Sequence, residues 1–214
     1  GQYQEPVLIY KIENSEGKAV YTNSMNRTRA LGEGETFILT DMLRYVVSTG
    51  TGRRLGGSIA LAGKTGTNDY ENKGNRDAWM AAYNSEYTAV VWMGYDSDKD
   101  LKHYLRKVYG SSFPTTIWKE VMTAAHEGLP VQSSINRPQG ITTVKFDLKS
   151  GLLPSSLTPE QFISNEVCAL DSVPTSVSNV WIEAKVSPDN PNTLLPADSP
   201  YGISKIFLNL PSCA

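Results

Sequence analysis

Two nearly continuous apolar segments around a short polar turn constrain the fold of this 214-residue chain more than any other feature. The segments DAWMAAY and YTAVVWMGYD flank Asn84, Ser85 and Glu86. Such a pattern predicts an antiparallel hairpin in the core of a sheet. The stretch SIALAGKTGT, just before it, predicts a further short strand of small residues that leads into a turn. We therefore expect an antiparallel sheet in the middle of the chain.

Two segments with helical periodicity flank this sheet, TFILTDMLRYVVSTG before it and FPTTIWKEVMTAAHEG after it. Gly50 stands at the end of the first, and Pro114 lies near the first turn of the second. The side chains predicted to be buried are Leu39, Met42, Leu43, Val46 and Val47 in the first helix, Ile117, Val121, Met122 and Ala125 in the second, and Trp79, Trp92 and Trp118. Near the start, VLIYKI and KAVYT on either side of ENSEG predict a β-hairpin. The elements together predict an α+β fold.

Composition changes near Pro130, after which Pro, Ser, Thr and Asn dominate. Short apolar strands such as ITTVKF, VWIEAKV and KIFLNL are separated there by polar loops. The sequence therefore predicts two parts, a compact domain over residues 1–130 and a β-rich, loop-rich extension over residues 131–214.

Charge and hydropathy exclude several partners. The formal net charge of −2 gives no electrostatic reason to expect nucleic acid. No apolar run approaches the roughly 18 residues that a bilayer-spanning helix needs. The chain opens directly into strand-like sequence, which fits either a small complete domain or the back half of a larger protein.

Cysteine and histidine are too few and too far apart to predict a metal site. We expect no metal and no cofactor. Cys168 and Cys213 could form a disulfide, closing a loop of about 45 residues, or remain two thiols. His126 ends the second predicted helix, where a cationic ring would suit the helix dipole. His103 has no partner pattern.

The stretch AGKTGT, Ala62 to Thr67, admits two interpretations. A phosphate-binding loop needs a glycine five residues before Gly63, but that position is Ser58. Such a loop also runs into a helix, whereas NDYENKGNR is rich in residues that disfavour one. The alternative is a strand that borders the cleft of an acyl-transfer site, as does the Lys-Thr-Gly element of penicillin-recognising serine enzymes.

The surrounding sequence resembles the C-terminal part of the transpeptidase domain of class A, bifunctional penicillin-binding proteins. The shared skeleton is VVSTGTG, AGKTGT, RDAW, VWMGYD and IWKEVM, in that order and at similar intervals, and the likeness covers most of residues 5–170. It departs from the family at Met80 to Asn84, on the strand beside the motif. The resemblance implies an antiparallel sheet with flanking helices, as in the penicillin-binding and serine β-lactamase-like fold.

The resemblance implies a role for each residue of the motif. Lys64 would hold the carboxylate region of the substrate and tune proton transfer, and the hydroxyls of Thr65 and Thr67 would bind the same carboxylate. Gly66 would leave room for substrate backbone along the strand. The backbone N–H of Thr67 would supply one donor of an oxyanion hole. Lys64 and Thr67 are thus the predicted catalytic residues, and Lys64, Thr65, Gly66 and Thr67 the predicted substrate-binding residues.

The nucleophile of the family, the serine of a Ser-x-x-Lys motif at a helix start, has no convincing counterpart. The match Ser15 to Lys18 lies in a predicted hairpin turn, and its Gly17 opposes a helix. The Ser-x-Asn matches at Ser24 and Ser134 are in unsuitable positions. We therefore expect the rest of the domain, on the same or a separate chain, to be a partner of this one, and this chain alone to be inactive.

Three functions remain open on sequence alone. The favoured one is part of an extracytoplasmic peptidoglycan DD-transpeptidase, with peptidoglycan stem peptides and β-lactams as ligands. A non-catalytic module for binding cell wall or protein is the alternative, and an exposed aromatic row in VWIEAKV would favour it. A β-lactamase is the third, disfavoured by the long tail. Arg76 and Asp77 are expected to form an exposed ion pair beside the motif strand.

Overall fold

The computed structural model describes residues 1–56, 59–71, 73–96, 103–130 and 135–209. The chain divides into two compact units, unit 1 over Gly1–Pro138 and unit 2 over Gln139–Ala214. Both contain antiparallel strand pairs, and unit 1 also contains two α-helices, so the fold is mixed α+β. Within the described ranges, neither helix is long and apolar enough to cross a bilayer.

Unit 1 carries seven strands and two helices along its described residues. In chain order they are β1 (Gln2–Gln4), β2 (Lys11–Glu13), β3 (Ala19–Thr22), β4 (Arg27–Arg29), α1 (Glu33–Ser48), β5 (Ala62–Tyr70), β6 (Gly74–Tyr83), β7 (Thr88–Gly94) and α2 (Phe113–Ala125). β1 pairs with β4 and β2 with β3, whereas β5, β6 and β7 form one antiparallel sheet in that order. The hairpin predicted around the NSE turn is confirmed as β6–β7. The strand predicted over SIALAGKTGT is confirmed in position, but β5 begins at Ala62 and continues past the predicted turn to Tyr70.

The core of unit 1 lies between one face of this sheet and the two helices. Its fully buried members come from α1, a single 3-10 turn at Arg53–Leu55, β6 and α2. They are Val47, Leu55, Met80, Ala82, Trp118 and Met122. Trp118 donates its indole N–H to the carbonyl of Ala89 on β7, at 2.8 Å, so the largest core side chain also satisfies its polar atom.

Both helices form as predicted, but the predicted buried stripes are wrong in part. α1 buries Phe37, Thr40 and Val47, and leaves Leu39 and Met42 exposed. α2 buries Thr115, Trp118 and Met122, and leaves Ile117, Val121 and Ala125 exposed. Each helix carries apolar side chains on more than one face, and periodicity alone does not say which face meets the sheet.

The prediction that Trp79 and Trp92 are core residues is also wrong. They are a cross-strand pair on β6 and β7, 41% and 42% exposed, with ring centroids 5.9 Å apart. Because successive strand residues face opposite sides, Trp79 points away from the side where Met80 packs. One face of the sheet therefore carries large aromatic side chains that nothing in the described part of the chain buries.

The N-terminal hairpin is confirmed in position but is shorter than predicted. The ladder begins at Lys11, and Gly17 has a φ of +79° in the turn, a conformation that favours glycine. The preceding VLIY residues form no strand, and Leu8 is 97% exposed. Ser15 lies in the exposed turn and not at a helix start.

Unit 2 has four strands in two antiparallel pairs and, among its described residues, no α-helix. The pairs are β8 (Ile141–Asp147) with β9 (Ile163–Ala169), and β10 (Trp181–Val186) with β11 (Ile203–Leu208). Cys168 is a half-buried free thiol. Cys213, with which Cys168 could form a disulfide according to the sequence, lies outside the described residues.

A fully buried carboxylate links the two hairpins of unit 2. Asp147, at the end of β8, accepts hydrogen bonds from the Trp181 indole, the Thr158 hydroxyl and the Lys149 backbone N–H. Burial by itself would raise the pKa of Asp147, but these bonds and the nearby Ser178 hydroxyl outweigh it and lower the pKa below its usual value. Asp147 is therefore charged near neutral pH and fixes β8 to β10.

We expect Asp147→Asn to lower the free energy of unfolding of unit 2 by about 2–3 kcal/mol, because an amide leaves buried donors unsatisfied. Since the folded-state pKa is lowered, the contribution of the charged form is present above the ordinary pKa of 3.8 and is lost as the pH falls through the folded value. Hydrogen exchange of the β8–β11 amides at pH 3 to 7 measures both effects. The exposed Asp171→Asn is the control, and equal protection in the two variants would contradict this role for Asp147.

Candidate active site

β5, which carries the Lys-Thr-Gly sequence, is an edge strand of the sheet. Among the described residues its one hydrogen-bonded neighbour is β6. The register pairs Lys64 with Ala81, Thr65 with Met80, Gly66 with Trp79 and Thr67 with Ala78. An edge strand leaves a row of backbone N–H and C=O groups unpaired, so a second extended peptide can add to it.

Small residues on β5 avoid clashes with the neighbouring atoms of β6. A β-carbon at Gly63 would come within 2.6 Å of the Ala82 Cβ and 2.9 Å of the Ala81 carbonyl oxygen. One at Gly66 would meet the Trp79 Cβ at 3.2 Å, which is a tight but less severe contact. Gly63, which the sequence interpretation used only to test for a phosphate-binding loop, is thus the position less tolerant of a β-carbon.

Lys64 is exposed and lies on the sheet face that carries Ala81 and Trp79. Its ammonium group donates a hydrogen bond to the Thr65 carbonyl oxygen at 2.8 Å. Because that bond is local and solvent-accessible, the long side chain can turn toward a ligand on this face at small energetic cost.

Thr65 and Thr67 lie on the opposite face, toward the helices, because side chains alternate along the strand. The half-buried Thr65 shares a hydrogen bond of 2.8 Å with the hydroxyl of Thr51, in the turn that follows α1. The sequence predicted Lys64, Thr65 and Thr67 as one binding surface. The structure places them on one edge strand but divides them between its two faces.

Thr67 is held by the loop that leads into α2. Its hydroxyl oxygen accepts a hydrogen bond from the Gly110 backbone N–H at 3.1 Å, and the Gly110 carbonyl accepts one from the buried Thr115 hydroxyl at 2.7 Å. With its oxygen used as an acceptor, the Thr67 hydroxyl has its proton left to donate. The bond from Gly110 therefore orients the Thr67 side chain, and its O–H group can still donate a hydrogen bond to a carboxylate.

Gly110 itself was missed by the sequence interpretation. A β-carbon there would lie 2.3 Å from the Trp79 carbonyl oxygen and 2.5 Å from that of Gly66, both of which are backbone atoms. The residue therefore has to be glycine for the loop to approach the β5–β6 ladder. No local pattern in YGSSFP indicates this, because the requirement comes from strands far away in the sequence.

The expected ion pair between Arg76 and Asp77 is not formed. Asp77 accepts hydrogen bonds from the Trp92 indole N–H at 2.9 Å and the Asn68 amide at 3.3 Å. Arg76 instead lies over the ring of Tyr70. Neighbouring strand residues point to opposite faces, which is why the two charges adjacent in sequence do not meet.

His126 is a buried hydrogen-bonding residue and not an exposed cation at a helix end. It is 5% exposed, with Nδ1 3.0 Å from the Met122 carbonyl oxygen and Nε2 2.9 Å from the Asn84 amide nitrogen. A carbonyl can only accept and an amide NH₂ can only donate, so the ring carries its proton on Nδ1. This contact fixes the β6–β7 turn to the end of α2.

Within the described ranges, no three His, Cys, Asp or Glu side chains are grouped so that they could hold a metal ion. The functional groups of β5 at the Lys-Thr-Gly sequence are an ammonium group, two hydroxyls and edge-strand backbone groups.

Comparison with known proteins identifies the family. The penicillin-binding protein transpeptidase domain matches residues 1–123, more than half of the chain. Penicillin-binding protein 1A of Clostridium tetani is 29% identical over 180 residues, covering 83% of this chain and 22% of its own length. Penicillin-binding protein 1F of Bacillus subtilis is 36% identical over 129 residues, covering 59% of this chain and 18% of its own length. The chain belongs to the penicillin-binding protein transpeptidase family, with homologues among the class A proteins.

A solved structure shows the same fold. The penicillin-binding protein PonA1 from Mycobacterium tuberculosis superposes with a TM-score of 0.52 at 23% identity, covering 61% of this chain and 35% of that one. The chain spans about a fifth of the length of the curated relatives it matches.

Proposed function

We propose that this chain is part of a peptidoglycan DD-transpeptidase and supplies the Lys-Thr-Gly wall of its active site. The complete enzyme attacks a D-Ala-D-Ala stem peptide through a serine, releases D-alanine and passes the acyl group to an amine of a neighbouring strand. β-Lactams acylate the same serine. The observation that carries this proposal is the family membership together with an edge strand that presents Lys64, Thr65, Gly66 and Thr67.

The residues of β5 have distinct roles in this proposal. The Lys64 ammonium attracts the substrate carboxylate and stabilises developing negative charge. The Thr65 and Thr67 hydroxyls lie on the opposite face of the strand, so they donate to the same carboxylate only where it lies over the open edge of β5. The Thr67 backbone N–H is one oxyanion donor. Gly66 keeps the strand surface low, so that the substrate backbone can pair with it. The reaction so described uses no metal and no cofactor.

We place the nucleophile outside this sequence. Ser15 sits in the β2–β3 turn, where the Asn14 side chain accepts hydrogen bonds from the Glu16 and Lys18 backbone N–H groups. Ser24 lies in the connection between β3 and β4. Neither serine is at a helix start, and Ser134 lies outside the described residues.

The uncovered face of the sheet supports a partner that is the remainder of the same domain. Lys64, Ala81 and Val90 form one row across it, and Gly66, Trp79 and Trp92 form the next. An exposed apolar sheet face next to a catalytic lysine suits a covering segment that brings the serine to Lys64. Such an enzyme works on the extracytoplasmic side of the bacterial membrane, where peptidoglycan is cross-linked.

The alternative, a non-catalytic binding module in the extension, is less well supported. Trp181 of β10 is 7% exposed and packs against Phe162, with ring centroids 5.0 Å apart. β10 thus has no exposed aromatic row. The residues buried on this strand are Trp181 and Val186, whereas Ile182 is exposed and Ala184 is half-buried.

Fluorescent penicillin labelling tests the proposal. We expect no covalent labelling of the isolated 214 residues, because the acylated serine is supplied elsewhere, and stable labelling of the full-length protein. A boiled sample of the full-length protein is the control for non-covalent dye. Labelling of the isolated chain would overturn the placement of the nucleophile, and an unlabelled full-length protein would overturn the function.

A further inference from the structure

The hydroxyl of Thr51 contacts the proposed site but has no part in the roles assigned to the residues of β5. Thr51 lies just after the end of α1, and its Oγ1 is 2.8 Å from the Oγ1 of Thr65. Either hydroxyl can be the donor in this bond. α1 packs against β5, which brings the turn after the helix to the strand. A different element of the fold thus supplies a hydrogen-bond partner to one of the proposed carboxylate-binding residues.

The backbone around Thr51 is fixed to the end of α1 through the two glycines that flank it. The Gly50 N–H donates to the Tyr45 carbonyl oxygen at 3.1 Å. The Gly52 N–H donates to the Val46 carbonyl oxygen at 3.0 Å. A β-carbon at Gly50 would lie 3.0 Å from the Val46 Cα, and one at Gly52 would lie 3.2 Å from the Val46 carbonyl oxygen. The Thr51 backbone therefore lies close against the helix, with little space for a side chain on either side of it.

The direction of the bond between Thr51 and Thr65 follows from the role proposed for Thr65. A threonine hydroxyl has one proton to donate and two lone pairs that accept. When Thr65 donates its proton to the substrate carboxylate, that proton is no longer available to Thr51. Thr51 is then the donor, and Thr65 is the acceptor. A hydroxyl that accepts one hydrogen bond also donates a stronger one, because each bond polarises the next.

Thr67 has the same arrangement with a different kind of donor. Its hydroxyl oxygen accepts a hydrogen bond from the Gly110 backbone N–H at 3.1 Å. Both proposed carboxylate-binding hydroxyls are thus oriented from outside β5, Thr65 from the end of α1 and Thr67 from the loop before α2. The donor to Thr65 is a side chain, so a substitution can remove it and leave the backbone unchanged.

We propose that Thr51 is a positioning residue for carboxylate recognition in the transpeptidase site. Its hydroxyl donates to the Thr65 oxygen and leaves the Thr65 proton directed at the carboxylate of a bound stem peptide or β-lactam. The inference rests on the proposed function and adds to it a residue outside the Lys-Thr-Gly strand. Because the Thr51 side chain is exposed, loss of its hydroxyl affects recognition of the carboxylate with little effect on folding.

Acylation of the full-length protein by a fluorescent penicillin and by its methyl ester tests the role of Thr51. The ester lacks the charged carboxylate but keeps the reacting β-lactam ring. In the wild type we expect the free acid to acylate about tenfold faster than the ester at low concentration. In Thr51→Val we expect the second-order rate constant to fall about 3–10-fold for the acid and to stay within about twofold for the ester. Thr51→Ser restores the hydroxyl and is expected to recover the acid rate to within about twofold.

Two further variants show whether Thr51 acts through Thr65. The matched control Thr49→Val removes an exposed hydroxyl at the C-terminal end of α1, 3.3 Å from that of Ser48, and is expected to keep the wild-type ratio of acid to ester rates. In a Thr65→Val background, Thr51→Val is expected to change this ratio no further.

Several results would overturn the role of Thr51. They are a wild-type ratio in Thr51→Val, an equal loss of both rates, no recovery in Thr51→Ser, the same change in Thr49→Val, or an undiminished effect in the Thr65→Val background. Equal acylation by acid and ester in the wild type would contradict the role of Thr65 and this inference with it. A full-length protein that reacts with neither penicillin would instead count against the proposed function.

Discussion

Replacing Lys64 with glutamine in the full-length protein is expected to slow acylation by a fluorescent penicillin by about 10²–10³-fold. This is the usual cost of removing one preorganised electrostatic group from an acyl-transfer site. Glutamine keeps most of the length of the side chain and a hydrogen-bond donor, so the loss reports the charge. Lys64 is exposed on an edge strand and packs into no core, which separates the effect from folding.

The control for this prediction is Lys145→Gln, an exposed substitution on β8 in unit 2 that removes the same charge. Its acylation rate is expected to stay within about twofold of the wild type. Acylation rates are measured by quenching the labelling reaction at successive times and reading the protein fluorescence in gels. Unfolding curves confirm that both variants are folded. A Lys64→Gln protein that acylates at the wild-type rate would show that the ammonium group takes no part in the reaction.

Gly110→Ala is expected to lower the free energy of unfolding of unit 1 by more than about 3 kcal/mol. The new β-carbon would meet the carbonyl oxygens of Trp79 and Gly66 and the Gly66 nitrogen at 2.3–2.9 Å. Those are backbone atoms of a paired ladder, so relief requires the whole loop to retreat. That movement would break the hydrogen bond from Gly110 to Thr67 and detach the N-terminal end of α2 from the sheet.

Denaturant unfolding of the whole chain, with hydrogen exchange of the β5–β7 amides, measures the effect. Ser111→Ala, one residue further along the same loop, is the control and is expected to change the free energy by less than about 0.5 kcal/mol. If Gly110→Ala were as stable as this control, the close approach of loop and ladder would not hold in solution.

The sequence was most informative where one local pattern decides the outcome. The polar turn between two apolar runs defined β6 and β7, and helical spacing with Pro114 near the start located α2. The family resemblance rested on short motifs in a fixed order. These features depend on neighbours in the chain, so they can be read without knowledge of the tertiary structure.

Other features could not be read in this way because distant segments decide them. The Lys-Thr-Gly sequence identifies the strand, but only the register shows that Lys64 and Thr67 lie on opposite faces. The requirement for glycine at position 110 comes from backbone atoms of two strands some 30 to 45 residues earlier. Trp79 and Trp92 were expected in the core because large aromatic residues usually are, yet their sheet face has no cover in the described residues.

The side chains on the exposed sheet face differ in size from one end of the face to the other. Ala81, beside Lys64, has a small side chain, whereas Trp79 and Trp92, beside Gly66, have large ones. On a flat apolar surface a covering helix could pack in either direction. On this face, large side chains of the helix fit over Ala81, and only small ones fit over Trp79 and Trp92. If the remainder of the domain covers this face as proposed, the difference in side-chain size across it would favour one orientation of the covering segment.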